Sequence, residues 1–509
     1  MTILKTRTKN WIPALAVGAS LISAFGIATA QTINPDMVEA VESTFNVERF
    51  DVTNLEIPAK LVDGFSSSFT YEGTKYVMQM TSHSVRSDRF QILAPDVNGR
   101  LVPQPIPAPQ TYRGTVQGLP GAVVSASLIN GKFEGLVLVN DNIIWEIEPL
   151  SKAVPNAADD EYIVFDSTDL VPHHFQCGVE DEGHNHGLGF PDGIDGFQVG
   201  DGGGYEDALK FAEIAFDADF EFYQKNGSSI PNTVADIEAV MDRVDTIYQR
   251  DVEVGYEITT IIVRSQEPDP YTTTDPSALL GQFQNEWNRN QSGIQRDVAH
   301  LMTGKGINGN VIGIAFLRVI CVLNSAYGLS QSRFTTNMTS RACLTAHELG
   351  HNWGANHCDG NGDCRIMCSG IGGCNRDCTR FGARSKTDIT NFKNSRTCLS
   401  DAPIFKLDLV PPPPIEGGQR TDWVVKNGVP GNQAALFYSL KGQGLTEVAP
   451  GIFIELRNPK LVSPIRTLDA NGEAVWPILV PNVGLRLFTQ VVDQDGNLTN
   501  NRIDDIHKN

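Results

Sequence analysis

The spacing of apolar side chains changes twice along the chain and predicts three folded parts. Between residues 119 and 150, apolar and polar positions alternate around turn signals at residues 130–131 and 140–141, which is typical of antiparallel strands. From about residue 208, β-strand-like apolar runs alternate with segments whose apolar residues recur at helical spacing. Strand-like runs return after the prolines at residues 411–414. The chain is therefore expected to be multidomain, with an α/β part between two β-rich parts.

The middle part contains the elements of an α/β fold in a simple order: strand, helix, strand, helix and two further strands. The first strand alternates, the first helix carries Ile237, Val240, Val244 and Ile247 at helical spacing, and the second strand is a β-branched run. The predicted segments are residues 208–220, 234–252, 256–263, 276–290, 297–304 and 310–317.

The stretch HELGHNWGANHC follows, and each of its defined positions has a chemical use. His347 and His351 are four residues apart, so they share one face of a helix where two imidazoles can hold one zinc ion. Glu348 lies beside them and can act on a water as a general base without being a ligand. Gly354 allows the bend that returns His357 as a third ligand. Three histidines leave one position for a water, whose pKa would fall to about 7.

Met367 lies ten residues beyond His357, in the run CRIMCSG. With RACLTAHELGHNWGANHC before it, this text resembles the metzincin metallopeptidases, and among them the adamalysin or reprolysin group, which includes ADAM, ADAMTS and snake-venom metalloproteinases. The resemblance covers roughly residues 205–400, where FQNEWN, RDVAHLMTG and VIGIAFL are also similar. It implies a metzincin domain with a mixed sheet and a zinc helix, one catalytic Zn²⁺ ion, a turn with Met367 beneath the ligands, and endopeptidase activity on proteins.

The resemblance also implies a substrate site. In metzincins an extended substrate pairs with the last strand before the zinc helix, and a free sheet edge can bind any peptide backbone. The candidates here are Ile312, Gly313, Ile314, Ala315 and Phe316.

Eight of the nine cysteines crowd around the motif, an even number suited to four disulfides in an oxidising compartment. A second, structural zinc site among residues 358–378 is the alternative. The resemblance implies one pairing, Cys321 with Cys398. Cys177 lies far upstream, and its thiolate could fill the open zinc position of a precursor as an inhibitory cysteine switch. The alternative for Cys177 is a spare thiol.

Residues 1–30 combine a basic start, an apolar run and a small-residue site ending at Ala30, which predicts a secretory signal peptide cleaved after Ala30. An uncleaved membrane anchor is the alternative. No other stretch is long enough to span a bilayer, so we expect a secreted protein without stable membrane insertion. A net charge of −20 argues against nucleic acid as a partner.

The run at residues 119–150 also resembles the propeptide of reprolysin-type zymogens, so residues 31–200 are expected to form a β-rich prodomain. The glycine-rich stretch at residues 183–204 predicts a linker where proteases cut. Residues 205–400 are the expected catalytic domain. Residues 415–509 predict a small β-sandwich, either an accessory domain for an unknown ligand or a stabilising module.

Taken together, these features predict a secreted zinc endopeptidase made as a zymogen and acting on protein or peptide substrates. A binding or adhesion protein on a metzincin scaffold is the first alternative, although the intact Glu348 and three histidines weigh against it. Hydrolysis of a non-peptide bond at the same zinc is the second.

Overall fold

The computed structural model describes residues 35–179, 209–401, 408–410, 417–449, 452–494, 499 and 502–506, apart from the single positions 63, 141, 361, 373, 375, 427 and 442. The expected signal peptide and the glycine-rich linker lie outside these residues. The chain divides into two compact units, one of residues 1–114 and 121–400 and the other of residues 115–120 and 401–509.

The N-terminal part contains one helix and eleven strands among its described residues. They are α1 (Pro35–Phe45), β1 (Asp51–Asn54), β2 (Gly64–Tyr71), β3 (Thr74–His83), β4 (Arg86–Pro95), β5 (Leu101–Pro103), β6 (Thr111–Val116), β7 (Leu119–Ile129), β8 (Lys132–Leu138), β9 (Ile144–Pro149), β10 (Glu161–Asp166) and β11 (Gln176–Cys177). Eight of these strands form one sheet in the order β1-β10-β9-β8-β7-β6-β3-β2.

The strands predicted between residues 119 and 150 are β7, β8 and β9 of this sheet. Asn130 and Gly131 join β7 to β8, and both have positive φ, 53° and 75°. A two-residue turn with positive φ at both positions matches the twist of the strands it joins, which favours asparagine followed by glycine. The hairpin therefore forms where the turn signal predicts it.

The part after residue 209 has the mixed sheet and helices of an α/β arrangement. Its elements are β12 (Lys210–Ala218), α2 (Phe220–Lys225), α3 (Ile230–Val252), β13 (Val254–Val263), α4 (Pro276–Asn290), β14 (Val298–Met302), β15 (Val311–Ala315), β16 (Tyr327–Ser330), α5 (Met338–Asn352), α6 (Ala383–Asn394) and β17 (Ser400–Asp401). All six segments predicted between residues 208 and 317 are present as helices or strands of the predicted type.

The sheet of this part extends into the N-terminal part at both ends. Its order is β11-β15-β16-β14-β12-β13-β4-β5, with β17 also pairing with β12. Strand β4 pairs in parallel with β13, and β11 pairs in parallel with β15. The parts before and after the glycine-rich linker therefore share one sheet and one compact unit, which the alternation pattern alone does not predict.

Helices cover both faces of this sheet. Helices α3 and α5 contribute to the largest apolar cluster, in which the predicted helix residues Ile237, Val240, Val244 and Ile247 are fully buried. Helix α4 packs against a second cluster through Leu279, Phe283 and Trp287, among others. Among the described residues, no helix has the length and apolar character needed to cross a bilayer.

The second unit consists of short strands that pair antiparallel. They are β18 (Asp408–Val410), β19 (Arg420–Lys426), β20 (Gln433–Ser439), β21 (Gln443–Ala449), β22 (Ile452–Leu456), β23 (Lys460–Thr467), β24 (Ala474–Leu479), β25 (Leu485–Asp493) and β26 (Arg502–Ile506). The sheets are β18-β19-β24, β23-β20-β25-β26 and β21-β22. The first two share an apolar core that contains Trp423, Leu436 and Trp476. A mostly apolar cavity of about 300 Å³ in this unit is lined by Trp423, Leu436 and Leu487, among others.

Candidate active site

Helix α5 carries the first two histidines and is bounded by local signals. The Asn337 side chain accepts a hydrogen bond from the Ser340 backbone N–H (2.6 Å) and so caps the start of the helix. At the other end the helix stops at Asn352, and Gly354 has a φ of 92°. A residue with a side chain would be strained there, so glycine lets the chain turn back and bring His357 to the helix.

The three histidines converge through their Nε2 atoms. The Nε2 atoms of His347 and His351 are 3.0 Å apart, and each lies 3.2 Å from Nε2 of His357. Four-coordinate zinc with Zn–N bonds of about 2.05 Å would place its nitrogens about 3.3 Å from each other. The spacing of the three rings therefore fits one zinc ion.

Backbone carbonyls fix the tautomers of two of these rings. Nδ1 of His347 lies 2.6 Å from the Ile366 carbonyl, and Nδ1 of His351 lies 2.8 Å from the Ala355 carbonyl. A carbonyl only accepts, so each Nδ1 carries the hydrogen and each Nε2 presents a lone pair to the centre. Lone pairs that face each other repel unless a cation lies between them. The sequence gives no signal for these carbonyls because any residue can supply them.

Burial keeps these two histidines neutral. It lowers the pKa of His347 to about 3, with help from His357, against the opposing hydrogen bond to Ile366. Burial, followed by the neighbouring His347 and His357, also lowers the pKa of His351 well below its ordinary value. Both rings are therefore in the unprotonated form that metal binding requires.

Met367 lies against the zinc helix at Gly350. The Met367 side chain is fully buried, and a Cβ added at Gly350 would lie 2.5 Å from its sulfur. The close approach therefore requires a glycine on this face of α5. Met367 thus packs against the helix that carries His347 and His351.

Glu348 is fully buried beside the histidines. No hydrogen-bond partner reaches its Oε1 atom from the described residues, and its Oε2 lies 3.5 Å from Sγ of Cys177. Burial raises the pKa of Glu348 well above its ordinary value, and the contact with Cys177 opposes this. A Cβ added at Gly313 of β15 would lie 2.3 Å from Oε1, so the bare backbone of Gly313 forms one wall of the carboxylate's space.

Cys177 reaches the same centre from the N-terminal part. Its Sγ is 3.5 Å from Nε2 of His351, and it groups with the three histidines as possible metal ligands. Its backbone N–H donates to the Ser369 carbonyl (2.9 Å), and the N–H of Gly178 donates to the Gly313 carbonyl (2.8 Å). The segment around Cys177 therefore lies between β15 and the loop that follows Met367.

Four of the five candidate substrate residues lie on β15. Ile312, Gly313, Ile314 and Ala315 belong to β15, whereas Phe316 follows its end. The expectation that this strand is the last before the zinc helix is wrong, because β16 lies between them in the chain. Strand β16 is internal, between β14 and β15. Strand β15 is therefore at one end of the strands formed after residue 209, and β11 covers its open side.

The eight cysteines around the motif form four disulfides. The pairs are Cys321–Cys398, Cys343–Cys378, Cys358–Cys364 and Cys368–Cys374. The pair implied by the resemblance, Cys321–Cys398, is among them. These bonds leave none of the eight thiols for a second metal site at residues 358–378.

Three converging histidines, two of them on a helix that packs against a buried methionine, are typical of metallopeptidase domains of the metzincin class. Comparison with known protein families indicates which group of metzincins this domain resembles. Residues 209–394 match the family model Reprolysin_5, metallo-peptidase family M12. This part of the chain is therefore an adamalysin/reprolysin-type metzincin domain, as the sequence motifs predict.

Several metalloproteinases are similar to the chain at low identity. Mouse disintegrin and metalloproteinase domain-containing protein 19 is 26% identical over 273 residues, which cover 52% of this chain and 28% of that protein. The zinc metalloproteinase-disintegrin-like brevilysin H2a of Gloydius brevicauda is 26% identical over 220 residues, 41% of this chain and 50% of that protein. The snake venom metalloproteinase trimerelysin-2 of Protobothrops flavoviridis is 25% identical over 202 residues, 38% of this chain and 98% of that protein. The match to the mouse protein thus spans less than a third of its length.

Proposed function

We propose that the chain is a secreted, zinc-dependent endopeptidase that is made as a zymogen and hydrolyses peptide bonds in proteins. The observation that carries this proposal is the convergence of three histidine Nε2 atoms beside the buried carboxylate of Glu348. The four disulfides and the similarity to venom metalloproteinases support an extracellular location. The signal peptide, cleaved after Ala30, stays a prediction.

The chain's own residues account for binding and proton transfer. Zinc held by His347, His351 and His357 would act as a Lewis acid toward the peptide carbonyl and the attacking water. Glu348 takes a proton from that water and delivers it to the leaving amine. Burial raises the pKa of Glu348, which makes its carboxylate a stronger proton acceptor than an exposed one. The edge of β15 would orient the substrate by backbone pairing, which favours a peptide over a non-peptide substrate.

Gly313 sets the space in which Glu348 works, so Gly313→Ala should lower turnover. The new methyl would meet the Glu348 carboxylate at 2.3 Å and displace it. Moving a catalytic group by about 1 Å lowers the rate by roughly 100-fold. The control is Gly281→Ala on α4, where a new Cβ meets nothing within 4 Å. Casein hydrolysis and zinc content should be measured for both variants on the Cys177→Ala background. Equal activity in Gly313→Ala and Gly281→Ala would contradict the role of Gly313 in positioning the Glu348 carboxylate.

We further propose that residues 31–200 are the inhibitory prodomain and that Cys177 is the inhibitory zinc ligand. Two contacts support latency. The thiol of Cys177 occupies the side of the histidine cluster next to Glu348, and its strand β11 covers β15. Replacing Cys177 alone would remove the thiol from the histidine cluster, but β11 would still cover the edge of β15.

The test compares full-length wild type, Cys177→Ala and Cys177→Ala/Glu348→Ala. We expect Cys177→Ala to hydrolyse casein severalfold faster than wild type, because the thiol no longer competes for the zinc. A chelator should abolish that activity, added zinc should restore it, and the double variant should lack it. If Cys177→Ala that has been cut in the linker at residues 183–204 and freed of its N-terminal part binds one zinc ion and cleaves nothing across a broad protein panel, the alternative of a binding protein on a metzincin scaffold is favoured.

Residues 415–509 are proposed to be a β-sandwich accessory domain. The apolar core shared by its two larger sheets supports the sandwich, and the cavity next to Trp423 supports an unknown ligand.

A further inference from the structure

We propose that Glu146 and Glu148 of β9 form a pH-dependent latch, which holds the N-terminal part on the start of the zinc helix more tightly in acid than at neutral pH. The inference rests on the proposed zymogen, and it concerns how the N-terminal part is retained. Its basis is separate from the contact of Cys177 with the histidines.

The two carboxylates contact the first residues of helix α5. The Asn337 side-chain N–H donates to Oε2 of Glu146 (2.9 Å), and the Met338 backbone N–H donates to Oε1 of Glu148 (3.2 Å). The first N–H groups of a helix have no partner within it. Strand β9 therefore supplies acceptors that the helix start would otherwise take from water.

Only one of the two carboxylates has a close cation. Lys152 Nζ lies 2.6 Å from Glu148 and 3.0 Å from Glu134. Glu146 is fully buried, and among the described residues neither a salt bridge nor a partner for its Oε1 atom is found. Glu146 is therefore the member of the pair that is costly to ionise in place.

The charged groups around the latch do not supply the missing partner. The charge of Arg243 of α3 lowers the pKa of Glu146, but the Arg243 side chain donates its hydrogen bond to the Ala239 carbonyl (3.4 Å). Arg341 of α5 and the partly exposed Arg333 both pair with Asp236 of α3. The titratable and charged groups that face the latch are Glu134, Glu146, Glu148, Lys152, Asp236, Arg243, Arg333 and Arg341.

The sign of the pH effect follows from this burial. Burial, reinforced by Glu148, raises the pKa of Glu146 to about 7, against the hydrogen bonds from Asn337 and Thr339 and the charge of Arg243. When β9 detaches, the carboxyl group regains the ordinary pKa of about 4.3. The docked form thus holds the proton more tightly, so docking is strongest below about pH 4 and weakens as the pH rises toward 7. The full change in the docking equilibrium constant is roughly 500-fold.

The test uses amide hydrogen exchange of the full-length chain between pH 5 and 8, corrected for intrinsic exchange rates. The probes are the amides of residues 144–148 and 338–342, and those of α4 are the internal reference. In wild type, the equilibrium constant for opening at the probe amides should increase by roughly 100-fold from pH 5 to 8, relative to the amides of α4. Glu146→Gln keeps an acceptor for Asn337 but cannot ionise, so its profile should be flat. Glu56→Gln, at an exposed position, should match wild type.

Parallel profiles for wild type and Glu146→Gln would overturn the latch. If Glu146→Gln does not fold, the wild-type profile decides alone, and the absence of any increase specific to β9 and the start of α5 overturns the latch. Hydrogen exchange needs no catalysis, so this test is independent of the peptidase assay. If opening at the probes increases with pH in a chain that cleaves no protein, the latch is supported and the proposed peptidase function fails. If the chain cleaves protein but opening at the probes does not change with pH, the latch fails and the peptidase function is supported.

Discussion

Glu348→Ala should lower casein hydrolysis by about 10²–10⁴-fold, the usual contribution of a positioned general base. The residue is the buried carboxylate beside the three converging histidines. Among the described residues, the possible ligands grouped at this centre are the histidines and Cys177, so Glu348 is not one of them. Since the three histidines are the proposed zinc ligands and Glu348 is not one, the variant should still bind one zinc ion. Both quantities should be measured on the Cys177→Ala background.

Glu348→Gln is the matched variant, because it keeps the size of the side chain and removes only the proton acceptor. It should lose as much activity as Glu348→Ala. Activity within about tenfold of the parent in either variant would rule out Glu348 as the base. Loss of zinc from both would instead indicate a structural role.

Asp236→Asn should lower the free energy of unfolding by about 3–5 kcal/mol, the cost of leaving a buried charge without its partner. Asp236 of α3 accepts from Arg341 of α5 (2.9 Å), and both side chains are almost fully buried. Burial alone would raise the pKa of Asp236, but Arg341 and Arg333 outweigh it and hold the pKa below its ordinary value. The ionised carboxylate therefore stabilises the fold above about pH 4, and the effect of the substitution should shrink as the pH falls below that value.

Chemical denaturation at neutral pH measures this effect. The control is the double variant Asp236→Leu/Arg341→Met, which removes both charges and fills the space with apolar atoms. It should recover most of the lost stability. A loss below about 1 kcal/mol for Asp236→Asn would mean that the pair behaves like a solvent-exposed ion pair.

Much of the part after residue 209 could be predicted because its signals are local. Helix α4 spans Pro276–Asn290, the same residues that the sequence predicts, and Asp275 caps it in front of a proline in the first turn. The residues of α3 at helical spacing are in the core as expected. The spacing of the zinc motif is also local, since one helix and one glycine turn bring its three histidines together.

Strand pairing and buried contacts between distant residues could not be predicted, because the local pattern of apolar and polar residues does not encode them. Strand β16 has four residues, too few for a periodic signal. Strand β4 alternates like its neighbours but joins a different sheet. Asp236 and Arg341 are 105 residues apart, and Asn337 and Glu146 are 191 residues apart. The position of Phe316 beyond β15 shows the same limit on a smaller scale, because strand ends depend on the partner strand.

The pairing of β4 with β13 has a consequence for the form of the protein that would remain after the N-terminal part is removed. Strand β13 has ten residues, nine of them buried, and its sequence VGYEITTIIV is rich in β-branched side chains. Without β4, the backbone groups on that side of β13 become an open template on which a second molecule can add its own strand. Release of the N-terminal part would thus carry a risk of aggregation. The time that this part stays attached after cleavage would then set how long the mature form remains dispersed at high concentration.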